Sequence, residues 1–249
     1  MDFYANPNKS VQIQVGDKTY LRHAVRTHFI TQGENYVEII GKYISPMYKQ
    51  GDILFLGEKV IALCQNRVCH ARDIKISRWA RFLSKFASSN SHGIGVDNPY
   101  KMQLAIDFAG LPRVIFAAIC AGIGKLFGKR GLFYSIVGKG VSGIDGFYGK
   151  AFDYYRDKGI LLPENPDGVC SEIKNKLGID CVLVDANDLG IELLGKSHDI
   201  SYPDDILKSM IRDNPAGQSN QQTPMILVRE KAVEQNMISF ESEEITVTS

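Results

Sequence analysis

The sequence predicts an α+β fold, with mixed sheets and helices packed against them. Three observations predict it. Short apolar, β-branched runs such as Cys181 to Val184 and Pro224 to Arg229 are bounded by turn residues and read as strands. Other segments repeat apolar residues every three or four positions, as Val169, Ile173 and Leu177 do, which is the spacing of one helical face. At 249 residues, 44% of them hydrophobic, the chain is long enough to bury a substantial core, as one unit over 1–249 or as two subdomains.

Taken in chain order, Val11 to Val15 reads as a strand, and Tyr36 to Ile44 as a helix carrying Val37, Ile40 and Ile44 on one face. A turn at Tyr48 to Gly51 leads into two expected strands, Asp52 to Leu56 and Val60 to Leu63, around Gly57. Ile74 to Phe86 reads as a basic amphipathic helix whose apolar face (Ile76, Trp79, Phe82, Leu83, Phe86) is expected to pack on the core. A polar loop, Ala87 to Pro99, holds His92, read as a surface histidine. Met102 to Gly110 is a helix, Leu111-Pro112 a break, and Val114 to Gly124 a second helix expected to be buried. Eleven apolar residues are too few to span a bilayer, and an amphipathic membrane contact through the following Lys125, Lys129 and Arg130 is the minor reading.

Gly128 to Gly149 packs seven glycines around a short apparent β run, Leu132 to Val137. Glycine at this density suits either tight turns or close backbone approach to a phosphate, and the Walker spacing is absent. Next comes the segment from Leu161 to Gly195, LLPENPDGVCSEIKNKLGIDCVLVDANDLGIELLG. Asn165 or Asp167 is placed to cap a helix, Pro166 suits its first position and Gly178 ends it. The strand Cys181 to Val184 then runs into Asp185, Asn187 and Asp188, and acids at the carboxyl end of a buried strand commonly face a cleft, although Asx turns explain them equally well. Ile206 to Arg212 reads as a short helix, Pro224 to Arg229 as a last strand, and 230–249 as a partly loose acidic tail.

Composition narrows the function classes. Lys and Arg number 29 against 28 Asp and Glu, so net charge gives no argument for nucleic acid or a membrane surface. Cys64, Cys69, Cys120, Cys170 and Cys181 lack zinc-site spacing and read as reduced thiols of a cytoplasmic protein. The first eighteen residues have no apolar stretch behind a basic start, so no secretory signal is expected.

The order LLPENPD, helix, Gly178-Ile179-Asp180, strand and Asp185 resembles the coenzyme F-420 gamma-glutamyl ligase family. GVSGID, ending at Asp145, is similar to that family's glycine-rich turn with a metal-binding aspartate. GDILFLGEKVIA resembles its early strand and turn, and Asp213 to Arg229, with Gln218 ahead of the last strand, its final nucleotide-contacting loop. The likeness spans about Arg26 to Arg229, and its one specific motif is LLPENPD.

The resemblance implies a gamma-glutamyl ligase-like fold, a homodimer, and GTP- or ATP-driven amide formation between a carboxylate acceptor and an amino acid through an acyl phosphate. It implies a divalent metal, magnesium or manganese, on Asp145, Asp185 and Gln218. Gly138, Lys139, Gly140 and Gly143 would face the nucleotide phosphates. A non-catalytic nucleotide- or ligand-binding protein on the same scaffold, with or without a membrane contact, is the alternative. The sequence departs from the family pattern where Ala186 follows Asp185, where Tyr148 replaces an asparagine, where Leu63 replaces a basic residue, and where Gly57 and Glu58 replace a hydroxyl pair ahead of the matching Lys59.

Overall fold

The computed structural model describes residues 2–87, 96–129, 131–148, 152–187, 190–217 and 221–231. Over these the chain is mixed α and β. In order it forms β1 (Gln12–Val15), β2 (Lys18–Val25), α1 (Tyr36–Tyr43), β3 (Ile53–Gly57), α2 (Glu58–Cys64), β4 (Val68–His70), α3 (Arg78–Ser84), α4 (Pro99–Ala109) and α5 (Leu111–Leu126). There follow α6 (Leu132–Val137), α7 (Lys139–Ser142), β5 (Asp145–Gly146), β6 (Lys158–Ile160), α8 (Pro166–Leu177), β7 (Cys181–Asn187), β8 (Gly190–Lys196), α9 (Asp204–Met210) and β9 (Met225–Glu230).

Six strands form the main sheet in the order β1-β2-β9-β3-β7-β8, and three form a small one, β4-β6-β5. Among the described strands only β3 and β7 run parallel; the other pairs are antiparallel. The central strands are apolar throughout because both faces of the main sheet are covered. Leu54 and Leu56, Cys181 and Leu183, and Met225 and Leu227 pack on one side with Ile40 and Ile173 from α1 and α8. Their neighbours Phe55, Val182, Ile226 and Val228 pack on the other with Leu207 and Met210 of α9. A separate core joins Ala80 and Leu83 of α3 to Met102, Val114, Ala117, Phe133 and Val137, so α3 to α7 make a helical unit of their own.

Expected strands at Val11–Val15, Asp52–Leu56, Cys181–Val184 and Pro224–Arg229 are present, and so are helices at Tyr36, Met102, Val114, Pro166 and Ile206. Four expectations are corrected. Val60 to Leu63 is helical in α2, because Gly57 closes β3 and all four side chains are buried on the turn of a helix rather than alternating across a sheet. Leu132 to Val137 is α6, begun at the left-handed Gly131 and ended at Gly138, so a short β-branched run follows its glycine boundaries. The basic helix begins at Ser77, whose hydroxyl caps Ala80 N–H, and not at Ile74. Its aromatic face is not packed on the core: Trp79, Phe82 and Phe86 are exposed, as are Phe116, Ile119 and Ile123 on α5.

The LLPENPD segment has a structural explanation. Asn165, at φ 45°, caps α8 by accepting Gly168 N–H at 3.2 Å, and a Cβ on Gly168 would stand 2.0 Å from the Asn165 amide nitrogen. Asp167 Oδ1 accepts Lys196 N–H at 3.0 Å, and a Cβ on Gly195 would meet the Pro166–Asp167 backbone at 2.6 Å. The motif therefore clamps the start of α8 on β8, and Gly178, at φ 71°, closes the helix.

Candidate functional site

Where the parallel strands end, acids gather. In the β3–β7 register Gly57 lies beside Val184, so the next step along both chains sets Glu58, on the first turn of α2, beside Asp185. That is where the parallel pairing ends, while β7 itself runs on beside β8 with Asp185 paired to Glu192. Asp145 reaches the same place from the small sheet, in which it pairs with Ile160 of β6. Burial, then the Asp185 charge, then that of Asp145 push the Glu58 carboxyl up to about 8. Its Oε2 is buried without a hydrogen-bond partner. The charges of Asp145 and Asp185, forty residues apart, are thus both felt at one carboxylate.

Cations share the cluster. Lys59 forms an ion pair with Asp145 Oδ2 and donates to the Tyr148 hydroxyl oxygen at 3.1 Å, while that hydroxyl donates to Asp145 Oδ2 at 3.3 Å. Gly146 N–H donates to Asp145 Oδ1 at 2.7 Å. The Lys59 ammonium also lies 5.4 Å and 5.8 Å from the ring centroids of Tyr155 and Tyr148. Burial works against the charged form of both partners and is outweighed in each: Asp145 and Tyr148 hold Lys59 above its usual range, and Lys59, with help from Lys101, holds Asp145 below its own. Burial lowers Lys101 itself, with the Asp145 charge opposing.

The backbone under Asp145 is unusual. Gly146 has φ 95°, and Phe147, a residue with a side chain, has φ 56°. Phe147 is fixed there by its N–H to Lys158 carbonyl bond of 2.7 Å and by stacking on Tyr100 at 5.4 Å. Consecutive left-handed residues beside a charged cluster are the kind of local strain that functional sites retain.

The glycine-rich segment divides. Lys139 lies near the cluster, paired with Glu192, which faces Asp185 across β7 and β8 and adds to the upward push on Glu58. Gly138 and Gly140 border open space, but a Cβ on Gly143 would strike the Leu162 side chain at 2.5 Å, so packing explains Gly143. Gln218, His92, Arg130, Asp188 and the tail beyond Lys231 lie outside the described residues. Sequence reasoning met Glu58 and Tyr148 only as departures from a pattern; the signal available was an acid directly after a strand-ending glycine. A cleft of about 520 Å³ between β4 and α4, lined by His70, Asp73, Gln103 and Asp107 among others, contains none of the cluster residues.

Among the described residues no three His, Cys, Asp or Glu side chains are disposed to hold a metal ion. Glu58, Asp145 and Asp185 are oxygen donors of the type a hard divalent cation takes, and Glu58 Oε2 is orphaned, but the three do not form a ready ligand set. The Lys59 ammonium supplies the positive charge next to Asp145 instead. Comparison with protein-family models and with curated proteins gives no match to this chain.

Proposed function

We propose that the chain is a metal- and nucleotide-dependent amide ligase of gamma-glutamyl ligase type and fold, joining an amino acid to a carboxylate acceptor in the cytoplasm as a homodimer. The observation that carries this reading is the register that sets Glu58, with its buried and orphaned carboxylate oxygen, next to Asp185 where the parallel pairing ends, within reach of the Asp145 charge. A carboxylate does not accept an amine until it bears a leaving group, and phosphoryl transfer onto it builds negative charge that must be neutralised. A divalent metal on Asp145 and Asp185, with Gln218 as a further ligand, supplies that neutralisation when bound. Lys59 and Lys101 add positive charge on the Asp145 side. Lys139, with the open backbone at Gly138 and Gly140, supplies a place for the nucleotide phosphates. The test is release of phosphate from GTP or ATP that depends on both glutamate and manganese. Asp185→Ala should abolish it in a folded protein, and an unchanged rate would remove Asp185 from the reaction.

One observation favours a second reading, a nucleotide- or ligand-binding protein on the same scaffold without turnover. Asp145 is already satisfied by Lys59, Tyr148 and Gly146 N–H. Calorimetric titration of GTP, ATP and manganese separates the two: tight binding without turnover selects the binding protein, and no binding eliminates both.

A further inference from the structure

The chain's net charge of +1 hides a strong separation. Residues 74–144 contain ten Lys and Arg against two acids, Asp97 and Asp107, while the rest of the chain has seven more acids than bases. This basic stretch encloses the helical unit α3 to α7, and the same unit carries most of the exposed large apolar side chains among the described residues. On α3 and the two residues after it three stripes run side by side: Ala80 and Leu83 face the core, Trp79, Phe82 and Phe86 are exposed, and Arg78, Arg81 and Lys85 are exposed next to them. On α5, Val114 and Ala117 are buried, whereas Phe116, Ile119, Ile123 and Leu126 face outward, and Phe127, just past the helix, is 77% exposed. Beside that stripe an apolar groove of about 460 Å³ opens between α5 and α6, lined by Phe116, Ile123, Phe127, Leu132 and Ile136 with Lys129 among its lining residues. Gly124 makes the two helices fit, since a Cβ there would stand 2.2 Å from Leu132.

We infer that this helical unit docks on the surface of an anionic lipid bilayer, with the exposed aromatic and aliphatic stripes of α3 and α5 seated in the interface and the adjoining Arg and Lys on the lipid phosphates. Charge selects this occupant. A second copy meeting this face with its own would set like charges against each other, and a nucleic acid would satisfy the bases while leaving the apolar stripes in water. Basic side chains beside bulky aromatics are what an in-plane, interfacial helix uses. No single helix among the described residues is long and apolar enough to cross a membrane, and α4 and α5, which together are, meet at 118°, a bend that suits two helices lying in the interface.

Trp79 is the only tryptophan in the chain and lies on the proposed face, so it reports the contact directly. The intact chain, mixed with phosphatidylcholine vesicles carrying about 30% phosphatidylserine at near-physiological salt, should sediment with them, and Trp79 emission should move to shorter wavelength. Pure phosphatidylcholine vesicles should bind ~10-fold less, and more salt should release the protein. Phe116→Ser with Ile123→Ser should weaken binding ~10-fold, as should Arg81→Glu with Lys85→Glu, a pair of exposed changes that leave the apolar core untouched. Failure to bind phosphatidylserine vesicles, equal binding to neutral ones, or an unmoved Trp79 spectrum would overturn the proposal. So would a concentration-dependent dimer dissolved by the Phe116 and Ile123 changes, which would give the face to a second copy.

Discussion

Lys59 and Asp145 form the central ion pair of the acid cluster, joining the start of α2 to β5 of the small sheet. About a third of each side chain still meets solvent, which screens the pair. Lys59→Met should leave Asp145 facing Glu58 and Asp185 with less compensation, and we expect a loss of about 1–3 kcal/mol, below the ~3–5 of a fully buried pair. Because the pair holds the Asp145 carboxyl low, its stabilisation is present at neutral pH and disappears as pH falls through that depressed value. Urea titrations across acid pH should show the parent's advantage over the variant shrinking as pH falls, because the variant has lost most of what holds the Asp145 carboxyl low.

Glu58 runs the other way. Its folded value of about 8 stands above the ordinary carboxylate value, so the folded state binds the proton more tightly. Stability from this group is complete below the unfolded value and declines as pH rises toward 8. Glu58→Gln should therefore match the parent near pH ~4 and exceed it by about 1–3 kcal/mol near pH ~9, read by thermal unfolding at both values. A parent equally stable relative to the variant at both pH values would contradict the assignment.

If a divalent cation binds at Asp145 and Asp185, it relieves the same repulsion and stabilises the native state. Manganese at ~100 times its Kd should add ~2.7 kcal/mol, and at one fixed manganese concentration the rise in Tm should be larger at pH ~8 than at pH ~6. Asp185→Asn should remove the increment while Asp213→Asn, whose partner is Arg22, should not.

Gly146→Ala tests the backbone beneath Asp145. The added methyl would stand 2.1 Å from the Lys158 carbonyl oxygen at a φ of 95°. A loss of about 2–4 kcal/mol is expected, with weakened protection of the Phe147 amide in hydrogen exchange.

Arg229→Lys tests the link between β9 and the turn before β3. The guanidinium donates Nε to Asp52 Oδ1 at 2.7 Å and Nη2 to Asp52 Oδ2 at 2.6 Å, and Asp52 is buried. An ammonium cannot reproduce both bonds, so a loss of about 1–3 kcal/mol should appear in urea unfolding.

The sheet and its main covering helices were legible because burial on both faces leaves continuous apolar strands, and α1 and α8 carry caps at Asn35 and Asn165. α2 and α6 were not, since seven- and six-residue apolar segments have no period long enough to separate helix from strand. β8 escaped notice because Glu192 and Gly195 interrupt its alternation, and a register shift at Leu183/Val184 disturbs its pairing. Asp145 and Asp185 were legible as site candidates through a resemblance in order. Glu58 and Tyr148 gained meaning only when the fold set α2 beside β5 and β7, because their roles depend on neighbours far away in the chain. The outward face of α3 and α5 was misread since amphipathic spacing says which residues share a side, not whether anything covers them.

β9 lies between β2 and β3, although it is the last strand in the described chain. Val25 finds its partner Met225 roughly two hundred residues later, and among the described strands β1 and β2 join the rest of the sheet only through that one. A growing polypeptide leaving the ribosome must therefore hold the edges of β2 and β3 open until β9 has been synthesised. Those unfilled edges are a natural target for chaperones, and truncation before Met225 should yield aggregates rather than a smaller folded protein.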